Sequence, residues 1–321
     1  MTRGALHGTR RQCGAALLLA MLIVTLVAAF AATALWQQWQ AVEVETAERS
    51  RVEAGWILVG ALDWARQLLV EDARTGGPDL LSEPWATPLP ETRLSSFLAA
   101  DKNNAAGSDA PEAFLSGRMD DMQSRLNVTN LVEGDKVSQP DFLFFTRLFG
   151  QLELPQSELV LLAENLRLSS SPGTAGASAG GPVPLTPQHL RELTWLGLTP
   201  GTIARLAPYA SVLPLRSAVN LNTASPEVIY ASVPGLDMAQ AQRLVEERTR
   251  SPFRTLEDAR RFAGAAAPRI TEARHSVGTR FFEVRRRVRL DKLIVEERSL
   301  LQREGVDVRT LWRERVALDA L

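Results

Sequence analysis

Cysteine is almost absent from this 321-residue chain: Cys13 is the only one, so no intramolecular disulfide can form and stability has to come from packing. Histidine is nearly as scarce. His7, His189 and His275 lie far apart, which excludes a zinc site built from His and Cys. A dominant charge of one sign is lacking too: 36 Lys and Arg face 37 Asp and Glu, a formal −1, so the balance points neither to a polyanion binder nor to a disordered acidic tail. No Gly-x-Ser-x-Gly or His-Glu-x-x-His occurs, and the acidic residues are spread as solvated helix faces. No catalytic set is legible, and an enzyme is not expected.

A long apolar run, by contrast, is present once. Residues 15–35 read AALLLAMLIVTLVAAFAATAL, with no charge and only Thr25 and Thr33 carrying a polar group. At about 1.5 Å per residue such a helix covers roughly 30 Å, the hydrocarbon thickness of a bilayer. Arg3, His7, Arg10 and Arg11 precede it. Positive charge stays on the cytoplasmic side, so the bulk of the chain is expected outside, which in a diderm bacterium is the periplasm. No turn signal interrupts the run, and it is longer than the apolar core of a cleaved signal peptide. The sequence therefore predicts a single-pass inner-membrane helix over 15–36 that stays in the mature protein.

No Gly-Pro punctuation follows until Arg74-Thr75-Gly76-Gly77-Pro78, so the helix is expected to continue as an amphipathic stalk over 37–70. Val52, Trp56, Val59 and Leu62, with Ile57, Ala61, Trp64 and Leu68, recur at helical spacing as its packing face. Gly55 and Gly60 are the places for a kink. Residues 74–112 read as an irregular connection with a short helical piece at 91–100, and Asp101, Asn103, Asn104 and Asp109 as a polar loop without EF-hand spacing. Residues 114–131 read as a β-hairpin, 142–166 have helical period, and 169–184 (SSSPGTAGASAGGPVP) form a flexible loop. From 186 to 273 the pattern is helical, with candidate N-caps at Thr186, Thr199, Ser225 and Thr255.

The last part changes to strand grammar. Phe282, Val284, Val288 and Leu290 alternate with Glu283, Arg285, Arg287 and Arg289, and turns at Asp291-Lys292 and Glu304-Gly305 set off strands at 293–303 and 306–316. Strands on both sides of a helical block imply an α+β fold. One antiparallel sheet domain, made of 71–165 and 281–321, carries an inserted all-α domain at 166–280.

One stretch invites a nucleic-acid reading. Residues 220–260 look like a helix-hairpin-helix module, whose Pro-Gly-apolar-Gly hairpin presents backbone N–H groups to a phosphate. Pro234, Gly235 and Leu236 fit, but Asp237 stands in the second glycine position, where a carboxylate repels phosphate. Arg243, Arg248, Arg250 and Arg254 are interleaved with Glu246, Glu247, Glu257 and Asp258 and make no one-signed stripe. A hairpin kept for packing is the favoured reading; a membrane-tethered DNA-binding protein of the competence type is the alternative.

Together these residues carry a family likeness. Arg10-Arg11-Gln12-Cys13-Gly14 followed by Ala15-Ala16-Leu17-Leu18-Leu19 resembles a prepilin leader. Residues 121–131 (DMQSRLNVTNL) are similar to the Gln-Gly-Arg-Phe-Asn-Leu-Asn-Asn-Leu segment of type II secretion system protein K, with Ser124 and Leu126 as departures. Residues 185–214 and 220–253 resemble that family's inserted helical domain. The chain thus resembles the protein K family of large minor pseudopilins.

The resemblance implies a pilin-like sheet domain with a helix-hairpin-helix or SAM-like insertion. It implies a leader, 1–14, cut by prepilin peptidase between Gly14 and Ala15, and N-methylation of Ala15. It further implies a place at the pseudopilus tip beside I-like and J-like minor pseudopilins, initiating or capping assembly for protein export, with no nucleic-acid partner. Leu19 stands where most pilins and pseudopilins carry Glu, a carboxylate thought to pair with a neighbour's N-terminal amine; a tip subunit has no subunit above it to pair with. The residues themselves call for no cofactor. The resemblance admits Ca2+, but no ligands are assignable, because the family's Asp-Trp-x-Asp region here reads Ala163-Glu164-Asn165-Leu166.

Overall fold

The computed structural model describes residues 13–96, 112–170 and 184–316. The leader positions 1–12, the polar run 101–109, positions 97–100 of the expected short helix and positions 171–183 of the Ser/Gly-rich loop lie outside the described residues. The chain forms two compact units, Met1–Trp56 and Ile57–Leu321.

In the first unit helix α1 (Cys13–Thr75) begins, and its helical run carries through Gly55 and Gly60 into the second. Leu17, Leu18, Leu19, Met21, Leu22 and Ile23 are all more than half exposed, as are Trp36 and Trp39. The hydroxyls of Thr25 and Thr33 donate to the carbonyls of Leu22 and Phe30 at 3.0 and 2.8 Å, so each finds its partner inside the helix. By length and composition this helix can cross a membrane. Val52 and Trp56, expected on the packing face, are 59% and 71% exposed.

The second unit is built around an antiparallel sheet of β1 (Leu89–Arg93), β2 (Ala113–Asp121), β9 (Phe281–Leu290), β10 (Leu293–Glu304) and β11 (Asp307–Val316), paired in that order. The three C-terminal strands follow the expected alternation and turns, with Asp291 at φ 50° and Gly305 at φ 59° supplying the left-handed turn positions. Gly117 lies within β2. A Cβ there would meet the Arg285 carbonyl oxygen at 3.0 Å, so glycine is what lets β2 approach β9.

One sheet face packs on the end of α1, where Leu62, Ala65 and Leu69 meet Trp85, Met119, Phe282, Val284, Leu301 and Val308. The expected stripe is therefore corrected. Leu58, Leu62, Ala65 and Leu69 form the buried row, while Trp64 is 42% exposed. Their four-, three- and four-residue steps keep them on one face, and the small Ala65 lets helix and sheet come close. Trp85 lies edge-on to Phe282, 5.1 Å between ring centres, and its indole donates to Glu83 at 2.7 Å.

Polar groups are buried inside this sheet as well. Arg286 interrupts the apolar face of β9: it is 2% exposed, donates to the Leu58 carbonyl at 2.9 Å and to Ser299 Oγ at 2.7 Å, and faces Glu297 at 3.5 Å. On the other face Glu283 is held by Arg285 and Arg298 at 2.7 and 2.5 Å.

Between the adjacent strands β2 and β9 runs the inserted helical part. It contains α2 (Gln139–Gln151), α3 (Gln156–Ser170), α4 (Pro200–Leu206), α5 (Pro226–Ser232), α6 (Met238–Arg250) and α7 (Leu256–Phe262). Short strand pairs tie it together: β3 (Leu126–Asn127) beside β6 (Ala210–Ser211), β4 (Val132–Glu133) beside β5 (Lys136–Val137), and β7 (Val219–Asn220) beside β8 (His275–Ser276).

Several local expectations change. The expected hairpin at 114–131 is a single sheet strand followed by tight turns, because Asp121 accepts from the Gln123 N–H and bends the chain out of the sheet. The period over 142–166 covers two helices, separated where Glu153 adopts φ 49°. The start of the expected helix at 91–100 is strand β1. Thr199 and Ser225 cap helices, whereas Thr186 donates instead to the Ser169 carbonyl. The helical core also takes in Leu126, Val128, Phe145, Leu148, Leu159 and Leu162, so it begins well before position 166. Those residues share one buried cluster with Leu193, Leu206, Val228 and Ile229.

Candidate functional site

The chain leaves the sheet at Asp121 and returns to it at Phe281, and the family-like segment 121–131 stitches the two crossings. Asp121 Oδ2 accepts from Asn220 Nδ2 at 3.0 Å and Thr223 Oγ1 at 2.5 Å. Gln123 donates to the Ala218 carbonyl and accepts from the Arg280 N–H, both at 2.8 Å. Asn127, 2% exposed, accepts from the N–H groups of Thr129 and Leu213 at 3.1 Å and donates to the Leu215 carbonyl at 2.8 Å. Asn130 closes the seam by donating to the Ser217 carbonyl and accepting from its N–H. Each buried amide is thus spent on backbone from the far side, which fixes how the helical part sits on the sheet.

A second knot lies beside it. Asp79 accepts from the Thr279 N–H at 2.6 Å and pairs with Arg303 at 2.5 Å; Arg303 also pairs with Asp72. Asp72, Asp79 and Glu83 bring three carboxylates together, but the Arg303 guanidinium neutralises the first two and Glu83 is taken by the Leu80 N–H and the Trp85 indole. The Ca2+ admitted by resemblance finds no better set in Ala163-Glu164-Asn165-Leu166. Glu164 pairs with Arg167, Asn165 donates to the Leu196 carbonyl, and the other two are buried apolar residues. Among the described residues these positions do not fit a cation.

Two buried groups titrate in opposite senses. Burial pushes Asp79 up to about 6 despite Arg303, and burial pushes His275 down to about 4. His275 faces the Ser232 carbonyl through Nε2 and the Thr271 N–H through Nδ1, as a neutral ring requires. Below its unfolded pKa of about 6.5, His275 takes a proton more readily in the unfolded chain, so stability falls with acid. Asp79 takes its proton more readily in the folded chain, so stability rises with acid through pH 6 and is lost again as pH rises. Asp79→Asn removes a group that gains stability with acid, so acidification from pH 7 to 5 should cost this chain more than it costs the native chain. His275→Gln removes a group that loses stability with acid, so the same acidification should cost that chain less than it costs the native one, both read from urea unfolding in mild detergent.

The helix-hairpin-helix region resolves in favour of packing. Gly235 takes φ 97° at the turn between α5 and α6, and Asp237 Oδ1 accepts from the Gln240 N–H at 2.7 Å while Gln240 Oε1 accepts from the Asp237 N–H at 2.9 Å. The carboxylate in the second glycine position is thus the helix cap, using an N–H that a phosphate would need. Arg147 of α2 donates to the Tyr230 and Leu236 carbonyls at 2.7 and 2.8 Å and clamps the hairpin to the core.

Of the residues read from sequence as processing sites, Gly14 and Ala15 lie in the first turn of α1, and Leu19 lies one turn on, 60% exposed. The buried pairing of Asp79 with Arg303 and the bond from Arg286 to the Leu58 carbonyl join residues far apart in the sequence. Arg286 alone left a signal, by falling on the apolar face of β9.

An N-terminal apolar helix, a sheet packed on its end and a helical insertion between adjacent strands define a pilin-like α+β protein of the large kind. Residues 219–278, the span closed by the β7–β8 pair, match the family described as type II secretion system protein K. The chain is 29% identical to type II secretion system protein K of Pseudomonas aeruginosa, across 95% of this chain and 90% of that protein. It is 26% identical to the protein K of Pectobacterium carotovorum subsp. carotovorum, across 95% and 96%. A chain of the crystal structure of the GspK-GspI-GspJ complex from the enterotoxigenic Escherichia coli type 2 secretion system matches its fold, with TM-score 0.63, 16% identity and coverage of 85% of this chain and 99% of that one. The family match, both relatives and the solved fold agree: this chain is similar to type II secretion system protein K.

Proposed function

We propose that the chain is a non-enzymatic tip subunit of the pseudopilus, which initiates or caps assembly together with I-like and J-like minor pseudopilins. The observation that carries this reading is the first unit of α1, whose apolar side chains from Leu17 to Trp39 stand open along a helix with no charge before Glu43. Such a surface needs lipid or other helices around it. In the membrane it serves as a single-pass anchor in the inner membrane, with the second unit in the periplasm. After extraction the same side chains pack against neighbouring subunits.

Prepilin peptidase cleaves between Gly14 and Ala15, and Ala15 becomes the methylated terminus. Leu19 supports the tip position, since a carboxylate there would lie in apolar surroundings without a partner amine above it. The complex in which the Escherichia coli relative was solved supports the choice of partners.

The test is co-purification of the tagged full chain, in detergent, with the I-like and J-like proteins of its own organism. The native chain should bring both down. A Val52→Ser, Trp56→Ser double variant, altering two exposed residues of the first unit, should insert in the membrane but lose most of both partners. Retained partners would move the contacts to the globular part, and absence of both from the native chain would overturn the proposal.

A further inference from the structure

Two cavities open side by side where the back of the sheet meets the inserted helices. One, of about 410 Å3, is mainly apolar, lined by Val212, Leu213, Leu300, Leu311 and Trp312. The other, of about 280 Å3, shares Val212 and Trp312 with it and is lined by charge. There Arg125, Arg191, Arg285 and Arg298 face Glu283 and Glu314, four cations against two carboxylates.

The carboxylates are already taken. Glu283, 1% exposed, is held by Arg285 and Arg298, and Glu314 by Arg191 at 2.9 Å. Arg125 makes no hydrogen bond or ion pair among the described residues, although it is half-buried in the wall. Burial pulls its guanidinium below the ordinary arginine range, with Asp120 and Glu283 acting in the opposite sense. Arg298 Nε is also buried without a partner. A desolvated cation with donors to spare, in a cavity large enough for a side chain, is matched by a carboxylate.

The surroundings narrow the source of that carboxylate. Leu311, Trp312 and Glu314 belong to β11, which among the described residues is the last strand of the sheet and pairs only with β10, so its outer backbone suits another strand. Residues 171–183 contain no charged side chain and so do not supply it. We propose that this cleft receives an extended segment of a partner polypeptide alongside β11, with an acidic side chain paired to Arg125 and an apolar side chain beside Trp312. On a strand those two residues lie two positions apart, on one face. The site stands on the geometry of the second unit and does not rest on the pseudopilin reading.

Calorimetric titration of the full chain with acetyl-Val-Leu-Thr-Glu-Val-amide, and with the same peptide carrying Gln for Glu, tests it. The Glu peptide should bind saturably and the Gln peptide at least about ten-fold more weakly, the worth of one charge-assisted pair. Arg125→Met should remove that difference while leaving the unfolding midpoint near that of the native chain. Equal binding of the two peptides, an undiminished difference in Arg125→Met, or no saturable binding to the native chain would overturn the proposal. Binding that appears only after Asp319→Asn would also overturn it, by giving the site to this chain's own carboxylate.

Discussion

Replacing Arg286 by alanine is expected to lower the stability of the second unit by about 3–5 kcal/mol, the usual cost of emptying a large buried site together with the loss of its hydrogen bonds. The guanidinium is 2% exposed, and it reaches three partners. It donates to the Leu58 carbonyl of α1 at 2.9 Å and to Ser299 Oγ at 2.7 Å, and it faces Glu297 at 3.5 Å. Burial draws its pKa down to about 10, partly offset by Glu297. An alanine would leave a hole between helix and sheet and an α1 carbonyl without its side-chain donor. Arg286→Met keeps most of the volume and leaves Glu297 with Arg313 and Arg315, so its loss should be smaller, about 1–2 kcal/mol. Urea midpoints of the two variants in detergent give the comparison, and equal losses would contradict the role assigned to packing around the guanidinium.

Asn127→Ala is expected to cost about 3 kcal/mol, and for a different reason. The amide carries no charge, so no desolvation of an ion is recovered when it is removed. What is left behind is a buried Leu213 N–H and a Leu215 carbonyl on the opposite side of the seam. Asn127→Asp should fare little better, because a carboxylate can accept from Thr129 and Leu213 but cannot donate to Leu215. The loss should be accompanied by faster amide exchange at Leu213 and Ser217, which face this seam. Unchanged exchange there would mean that the joint is held elsewhere.

The parts of the fold legible in the sequence are those governed by a simple period. The charge-free run after Gly14 and the alternation of Phe282, Val284, Val288 and Leu290 each state their element outright, and the structure has α1 and β9 to β11 there. The stalk face was less legible. Val52, Trp56 and Trp64 satisfy helical spacing, yet bulk at those positions stays outside while Leu58, Leu62, Ala65 and Leu69 make the contact. Periodicity finds an amphipathic helix but does not say which of two apolar stripes meets the core.

Residues 114–131 alternate in a way that reads as a hairpin, and the part from 121 on is not one. Its polar side chains in fact serve long-range partners such as Ala218, Leu215 and Asn220, and no local pattern shows a bond across ninety residues of sequence. Asp237 shows the reverse case. A departure from a phosphate-binding pattern, visible in the sequence, has its physical explanation in the capping box that the carboxylate forms.

The assignment as a processed pseudopilin turns on the beginning of α1, and one measurement tests it most directly: the mass of the N-terminal peptide of the protein isolated from its own membranes. The proposed processing predicts a mature chain that starts at N-methylated Ala15, with residues 1–14 gone. An intact leader joined through Gly14 to Ala15 would contradict it and leave only a signal anchor.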